Sequence, residues 1–264
     1  MSQSDVNAKF TTKDSGAKIW RYMDLWKFYA MLKNQSLYFC RADKLGDKFE
    51  GSLPKKNIEE EIRNLERGFA EDGSDLVDTG RIENLKEKLR TDASLRNQAH
   101  RKHVFVNCWC RSCCESAAMW NLYIENKQGV AITSTIQKLK DNLNHDRSKK
   151  IYIGDVQYID YSEDKIPDFL FVQIHRFIHK MKSFSHENEL RLLFGPKHSH
   201  EVSQEENPCL GEYISIRDLN KLIDEVFIHP EAPRHFEEIV QTLVDKHGLN
   251  KKVQRTDLSE TPLF

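Results

Sequence analysis

The sequence predicts a single α+β domain built on a mixed sheet and carrying a helical insertion. Three observations support this. Short runs of β-branched and aromatic residues are interleaved with amphipathic helical stretches in irregular order. Residues 55–102 change character abruptly, becoming rich in Glu, Lys, Arg and Asn. No repeat and no low-complexity linker divides the rest. At 264 residues the chain is long enough for one sizeable core.

Taken in order, residues 1–16 are polar and are expected to be a disordered tail. Lys18 to Tyr22 reads as a strand. Asp24 caps a helix from Leu25 to Lys33, with Leu25, Phe28, Tyr29 and Leu32 on one face. Leu37 to Cys40 is a second strand, followed by a charged loop to Pro54 containing Asp43, Asp47, Phe49, Glu50 and Gly51. The insertion, 55–102, reads as two solvated helices split at Glu71-Asp72-Gly73-Ser74. Val104 to Trp109 is a strand of good β formers. Ser112 and Glu115 suggest a capping box for a helix over Glu115 to Glu125. Gly129 to Thr133 is a strand, and Ser134 is placed to cap the next helix. Ile151 to Ile159 reads as a strand, Asp168 to Lys182 as a helix and Leu190 to Phe194 as a buried strand. A strand at Asp224 to His229, a helix from Pro233 to His247 and a last strand at Lys252 to Arg255 close the chain.

Lys plus Arg is 40 and Asp plus Glu is 41, so bulk charge points to no polyanionic partner, and a nucleic-acid site would be a local patch. No apolar run has the length of a membrane span and the first residues do not resemble a signal peptide, so a cytoplasmic protein with six reduced cysteines is expected. No glycine-rich dinucleotide turn, Walker-type loop or G-x-S-x-G elbow occurs.

The most informative segment is His186 to Phe194, which places Glu187 and Glu189 at the mouth of an apolar strand with Arg191 on the same face as Glu189. A carboxylate at the edge of a low-dielectric core can bond a sugar hydroxyl or stabilise a developing cation. A salt-bridged strand entrance without chemistry is the plainer reading. Arg21, between Trp20 and Tyr22, must find an anion or a carboxylate and is a candidate pyrophosphate clamp. Trp120 and Tyr123 share a helix face that is either core or a shelf for a planar ring. Cys108, Cys110, Cys113 and Cys114 crowd one short segment without a distant second pair, so no metal is assigned to them. Arg176, Lys180 and Lys182 read as a basic helix face that is either wet or a phosphate contact.

These pieces resemble a widespread bacterial family known mainly as a domain of unknown function. Its hallmarks are an L-Y-[RK]-Y strand, an F-N-D-P-F-E loop, a C-F-S strand, M-W-x-x-Y before a G-V strand, and E-x-E-Y-R. Here they stand as Ile19-Trp20-Arg21-Tyr22, Leu45 to Glu50, Cys108-Trp109-Cys110, Met119 to Tyr123 with Gly129-Val130, and Glu187 to Arg191. Gly46 and Lys48 replace the family's Asn and Pro.

The order of a first-strand Arg, an aromatic helix face, a hydroxyl run and a late E-x-E also resembles the ADP-ribosyltransferases. That resemblance implies an ADP-ribosyltransferase-like fold and NAD as the cofactor. Arg21 and Tyr22 would then hold NAD, and Trp120 and Tyr123 would stack on it. Thr133, Ser134 and Thr135 would be the hydroxyl run. Glu189 would be the catalytic carboxylate, with Glu187 on the acceptor side and Arg191 orienting it. The acceptor would be a macromolecule, either protein or nucleic acid. The setting would be a toxin or anti-phage effector with a possible neutralising antitoxin, and Arg176, Lys180 and Lys182 would meet a nucleic-acid acceptor. Two alternatives stand beside it. One is a metal-dependent nuclease using Asp43, Asp47, Glu50, His186 and Glu187. The other is a non-catalytic binding module in which E-x-E-x-R is structural.

Overall fold

The computed structural model describes residues 12, 14–71, 79–143, 149–167, 173–196, 208–256 and 258. Strand β1 (Lys18–Asp24) runs into helix α1 (Leu25–Asn34) and then β2 (Ser36–Arg41). A short 3-10 turn leads to α2 (Lys55–Glu71) and α3 (Thr79–Arg101), then β3 (Phe105–Arg111), α4 (Ala117–Tyr123), β4 (Gly129–Thr135) and α5 (Ile136–Leu143). Next come β5 (Tyr152–Asp155), β6 (Gln157–Ile159), a 3-10 segment (Gln173–Ile178) and β7 (His179–Met181). A second 3-10 segment (Lys182–Glu187) precedes β8 (Glu189–Phe194). The chain closes with β9 (Gly211–Ser215), α6 (Leu219–Leu222), β10 (Val226–Ile228), α7 (Arg234–Lys246) and β11 (Val253–Gln254).

Nine strands make one mixed sheet in the order β11-β10-β4-β1-β3-β2-β9, with β8 also on β3 and β5 on β8, while β6 and β7 form a separate parallel pair. Only β10–β11 is parallel within the large sheet. The α+β class with a mixed sheet and several helices is as expected.

Strand β3 is the branch point. β8 runs along one of its edges from Phe105↔Phe194 to Cys110↔Glu189. Its other edge is shared: β1 pairs only at Ile19↔Arg111 and Trp20↔Cys110, and β2 only at Cys40↔Val106 and Arg41↔Phe105. Between those contacts β1 and β2 diverge into a fork, spanned by α1. Unpaired strand edges leave polar backbone groups to be satisfied otherwise. In the fork, Asn107 donates to the Tyr38 carbonyl at 2.8 Å and Trp109 donates to the Asn107 side chain at 2.8 Å.

The strand period of two sorts the side chains. Ile19, Met23, Phe105, Trp109, Leu190, Leu192, Ile132 and Val226 share the main core with Phe28, Met31 and Leu32 of α1 and Phe236, Val240 and Val244 of α7. On the opposite face, Trp20, Tyr22, Cys110 and Ala131 pack on Met119 and Trp120 of α4. Also on that face, Val106, Tyr152 and Leu193 pack on Ile174, Phe177 and Ile178. The E-x-E-x-R charges sit on this second face, since Glu189 and Arg191 stand opposite Cys110 and Cys108.

Asp24 caps α1 as expected, accepting from the Lys27 amide at 2.8 Å. Ser112 does not cap α4. Its amide is still bonded to Lys18 across the sheet, so the helix starts later, with Ser116 accepting from the Met119 amide. Ser134 does not cap α5 either: Thr135 accepts from the Lys138 amide, while the Ser134 hydroxyl donates to the Leu222 carbonyl at 2.6 Å. The expected helix over Asp168 to Lys182 is replaced. Residues 168–172 lie outside the described residues, and from Gln173 onward the chain is a 3-10 turn and then β7. Ile174, Phe177 and Ile178 keep a helical, 3-10 course, while His179 to Met181 are drawn into a strand by pairing with β6. Asp14 to Gly16, placed in the tail by sequence, form a turn bonded to α5 through Ser15 and Gln137.

The helical pair appears where it was expected, with Lys86 of α3 bonded to Glu66 of α2 at 2.8 Å. Its base is tied to the loop after β2: Arg101 donates to the Asp47 and Lys48 carbonyls, and His100 stacks on Phe177 at 5.7 Å. Gly51 closes that loop with φ +69°, and an added Cβ would stand 2.5 Å from the Phe177 ring. Gly51→Ala is therefore expected to cost about 2–4 kcal/mol, combining left-handed strain with overpacking, and to lower the melting temperature by several degrees.

Candidate functional site

Two segments distant in sequence, the loop after β2 and the stretch from Phe177 to Arg191, build one buried ionic cluster. Arg191 on β8 is fully buried and bonds Glu50 from the loop after β2 at 2.5 and 3.0 Å. It also bonds Glu189 at 2.7 and 3.2 Å and donates to the Phe177 carbonyl at 2.6 Å. Lys180 on β7 bonds Glu187 at 2.7 Å and Glu189 at 3.2 Å. Asn188 makes this convergence possible. Its φ of 40° turns the chain between the two glutamates, and Asn tolerates that conformation better than most residues.

Removing such charges from water is expensive, so the cluster persists only because its partners are close and multiple. Three carboxylates face two cations. Burial alone would raise the Glu189 carboxyl, but the charges of Arg191 and Lys180, with the hydrogen bonds of Arg191 and Cys108, hold it at about 2. Burial would lower Lys180, and Glu189 with Glu187 raises it instead. Glu50 is shifted upward, because its burial outweighs the pull of Arg191. The Cys108 thiol is pushed well up by burial and by Glu189, and Cys110 rises to about 11 through burial, Glu187 and Glu189. Neither thiol is therefore a ready nucleophile.

A small pocket of about 20 Å³ opens beside the cluster. Arg21, Tyr22, Cys108, Cys110, Met119, Tyr123, Glu187 and Glu189 are among its lining residues. Five sequence candidates from four separate elements thus meet: Arg21, Tyr22, Tyr123, Glu187 and Glu189. Arg21 projects into the fork and donates to the Cys108 carbonyl at 2.9 Å and more weakly to the Tyr38 carbonyl at 3.5 Å, with its guanidinium 5.9 Å from the Trp109 ring. Among the described residues no carboxylate forms an ion pair with it. The Tyr22 hydroxyl accepts from the Ser116 amide at 2.9 Å. Burial raises the Tyr123 phenol, as do Cys108 and the two glutamates, so it remains a neutral donor.

Other candidates lie elsewhere. Trp120 is core: it packs edge-on against Tyr22 at 5.0 Å and His229 at 5.3 Å, and it does not line the pocket. Thr133 donates to Glu225 at 3.1 Å, and Ser134 is buried against Leu222, so the hydroxyl run does not reach the glutamates. The basic helix face is not formed, because among the described residues Arg176, Lys180 and Lys182 fall in a 3-10 segment, in β7 and at the start of a second 3-10 segment. Lys180 points into the cluster, Lys182 is an exposed partner of Asp164 at 3.0 Å, and Arg176 is half-buried in the 3-10 segment. The nuclease set does not gather. Asp43 pairs with Arg41, Asp47 accepts from the Phe49 amide, Glu50 belongs to Arg191, and His186 is exposed beside the Ser183 carbonyl. Among the described residues no group of three His, Cys, Asp or Glu is placed to hold a metal.

Sequence reasoning missed Glu50 as the partner of Arg191 and Lys180 as the partner of the glutamates. The available signal was that a buried Arg needs a carboxylate, but nothing local identifies which one.

His179, next to Lys180, adds a pH dependence. Burial pulls its imidazole down to about 4 against partial support from the His175 and Arg176 backbone. With a folded pKa below the unfolded value, the unfolded chain binds more protons between about pH 6.5 and 4, so stability falls as pH falls through that window. About 2 kcal/mol is expected to be lost between pH 7 and pH 5, and urea titrations of His179→Gln should show a shallower loss over that interval.

Residues 119–192 match the model of a family described as Protein of unknown function (DUF2971). The match spans the Met119 to Tyr123, Gly129-Val130 and Glu187 to Arg191 motifs, so the family resemblance is borne out over this stretch. No curated protein matches the chain. Among the described residues no helix is long and apolar enough to cross a membrane.

Proposed function

We propose that this protein is an ADP-ribosyltransferase-like enzyme that transfers ADP-ribose from NAD to a macromolecule, protein or nucleic acid, as a bacterial toxin or defence effector. One observation carries the reading: Arg21, Tyr22, Tyr123, Glu187 and Glu189 line one pocket in which Glu189 is held ionised at about 2. In this chemistry the bond between nicotinamide nitrogen and ribose C1′ breaks with its electron pair leaving on nicotinamide, while an acceptor nucleophile bonds C1′ and loses a proton. A fixed anion beside C1′ lowers the barrier, because it meets positive charge that grows only in the transition state. Glu189 is that anion, and Lys180 and Arg191 hold it in position. Glu187 faces the acceptor. Arg21 is the cation for a phosphate, and Tyr123 packs on the ring.

The residue types fit NAD, but the resting pocket is small. A nicotinamide ring needs more room than the resting lining leaves, and Tyr123, which lines the pocket at the end of α4, is 41% exposed. A specific observation favours a second reading, a non-catalytic binding module: both Glu189 oxygens are already bonded and the side chain is 3% exposed.

The test is incubation of the purified protein with NAD labelled in its adenylate half, plus cell extract and a chelator. Transfer of label, with release of nicotinamide, is the expected result. Neither transfer nor nicotinamide release, in a sample shown to be folded, overturns the reading in favour of the binding module.

A further inference from the structure

A larger cleft lies in the same fork, away from the glutamates. It has a volume of about 370 Å³ and is bounded by α1, the end of β1 and the start of β2, with Tyr213 of β9 at its border. That volume lies within the range of small-molecule sites. Met23, Ala30, Met31 and Leu37 form its apolar part. Its polar groups are few: Arg21, Ser36, and the Lys27–Asp24 pair, which is mutually neutralised at 2.7 Å.

Three features of this cleft are unexplained by folding. Trp26, the second residue of α1, is 78% exposed although its neighbours Phe28, Met31 and Leu32 fill the core. Holding a large aromatic ring in water forgoes the burial that a tryptophan normally contributes. Arg21 brings a positive charge that only carbonyls and an aromatic ring meet among the described residues. Burial lowers its pKa, yet a guanidinium stays charged at neutral pH. The buried Ser36 hydroxyl has no hydrogen-bond partner among the described residues. The cleft thus combines one uncompensated cation, one orphaned hydroxyl, an apolar wall and a bare indole, with the tilted Tyr38–Tyr213 pair 5.1 Å apart at its side.

We propose that this cleft binds a planar aromatic or heteroaromatic anion, with its carboxylate, sulfonate or phosphate on Arg21 and its ring against Trp26. Charge complementarity selects an anion, because the remaining charges cancel. The apolar wall and Trp26 select a flat, weakly hydrated body. Arg21 borders both the cleft and the small pocket, so an occupant of the cleft withdraws that cation from any phosphate at the glutamate site. The proposal does not depend on the transferase reading, since binding is measured without NAD.

The experiment titrates the intact protein with anilinonaphthalene sulfonate and, in parallel, with phenylnaphthylamine, which has the same rings but no charge. Fluorescence should rise saturably at one site for the sulfonate. The uncharged probe should bind at least roughly tenfold more weakly, as expected when a desolvated charge pair is lost. Trp26→Ala, at an exposed position that the fold does not need, should weaken sulfonate binding roughly tenfold. Leu122→Ala, also at an exposed position but on α4, should leave it unchanged. Absence of saturable binding, equal binding of the two probes, or indifference to Trp26→Ala would overturn the proposal.

Discussion

Arg191→Met is expected to destabilise the protein by about 3–5 kcal/mol, enough to unfold a domain of ordinary stability at neutral pH. The methionine matches much of the arginine's volume, so packing loss is a minor part. The main cost is electrostatic: Glu50 and Glu189 remain buried with Lys180 as the only cation, and Lys180 reaches Glu189 alone of the two. The carboxylates must then take up protons or the loop carrying Glu50 must open. Urea denaturation at neutral pH checks this, and the variant should regain stability as pH falls and Glu50 and Glu189 are neutralised. Pairing Arg191→Met with Glu50→Met should recover part of the loss, because a buried ion pair replaced on both sides costs far less than one broken on one side. A loss below about 1 kcal/mol for Arg191→Met would mean that the cluster is hydrated and structurally unimportant.

Glu189→Gln should separate chemistry from stability. Each cation keeps one carboxylate in this variant, since Lys180 retains Glu187 and Arg191 retains Glu50. The amide also fills the same space. Stability should therefore change by no more than about 2 kcal/mol. In the labelled-NAD assay, however, loss of the fixed negative charge should reduce transfer by roughly 10²–10³-fold, the scale seen when one preorganised electrostatic group is removed from a transition state. If transfer survives within a few-fold while stability drops, Glu189 is only a structural partner of Arg191 and another group must stabilise the cation.

These expectations rest on residues of very different legibility. Glu189 and Arg191 on one strand face follow from a period of two and were visible without a structure. So was the α1 cap at Asp24, because an N-cap acts on its own backbone within three residues. The same locality explains the near misses. Ser112 has the right side chain and spacing for a capping box, but its amide is held by Lys18 across the sheet, which no window around Ser112 can show. Lys180 reads as part of a basic helix face because it falls with Arg176 and Lys182 inside the helix expected over Asp168 to Lys182. Pairing with β6 makes it a strand residue pointing into the glutamates.

Thr133 and Ser134 illustrate the complementary failure. A run of hydroxyls in a strand alternates between faces, so neighbours in sequence are separated by the sheet itself. Thr133 reaches Glu225 and Ser134 reaches Leu222, and neither residue lines the pocket. Trp120 and Tyr123 share one helix yet divide between core and pocket: Trp120 packs on Tyr22 and His229, while Tyr123 joins Met119 in the pocket lining.

By itself, the sequence determined the α+β class, most element positions, the helical pair at residues 55–102 and the candidates Arg21, Tyr22, Tyr123, Glu187 and Glu189. The elements are written in local periodicity and capping chemistry, Tyr123 in its helical spacing from Trp120, and Arg21, Glu187 and Glu189 in the conflict between charge and an apolar run, while Tyr22 followed from the resemblance to the ADP-ribosyltransferases. Only the tertiary structure decided that β1 and β2 share one edge of β3, that the resulting fork admits Arg21, and that Glu50 and Lys180 complete the charge balance around Arg191 and Glu189. The physical reason is that burial converts an ordinary surface charge into one that must find its opposite. Which opposite it finds depends on contacts between segments up to 141 residues apart.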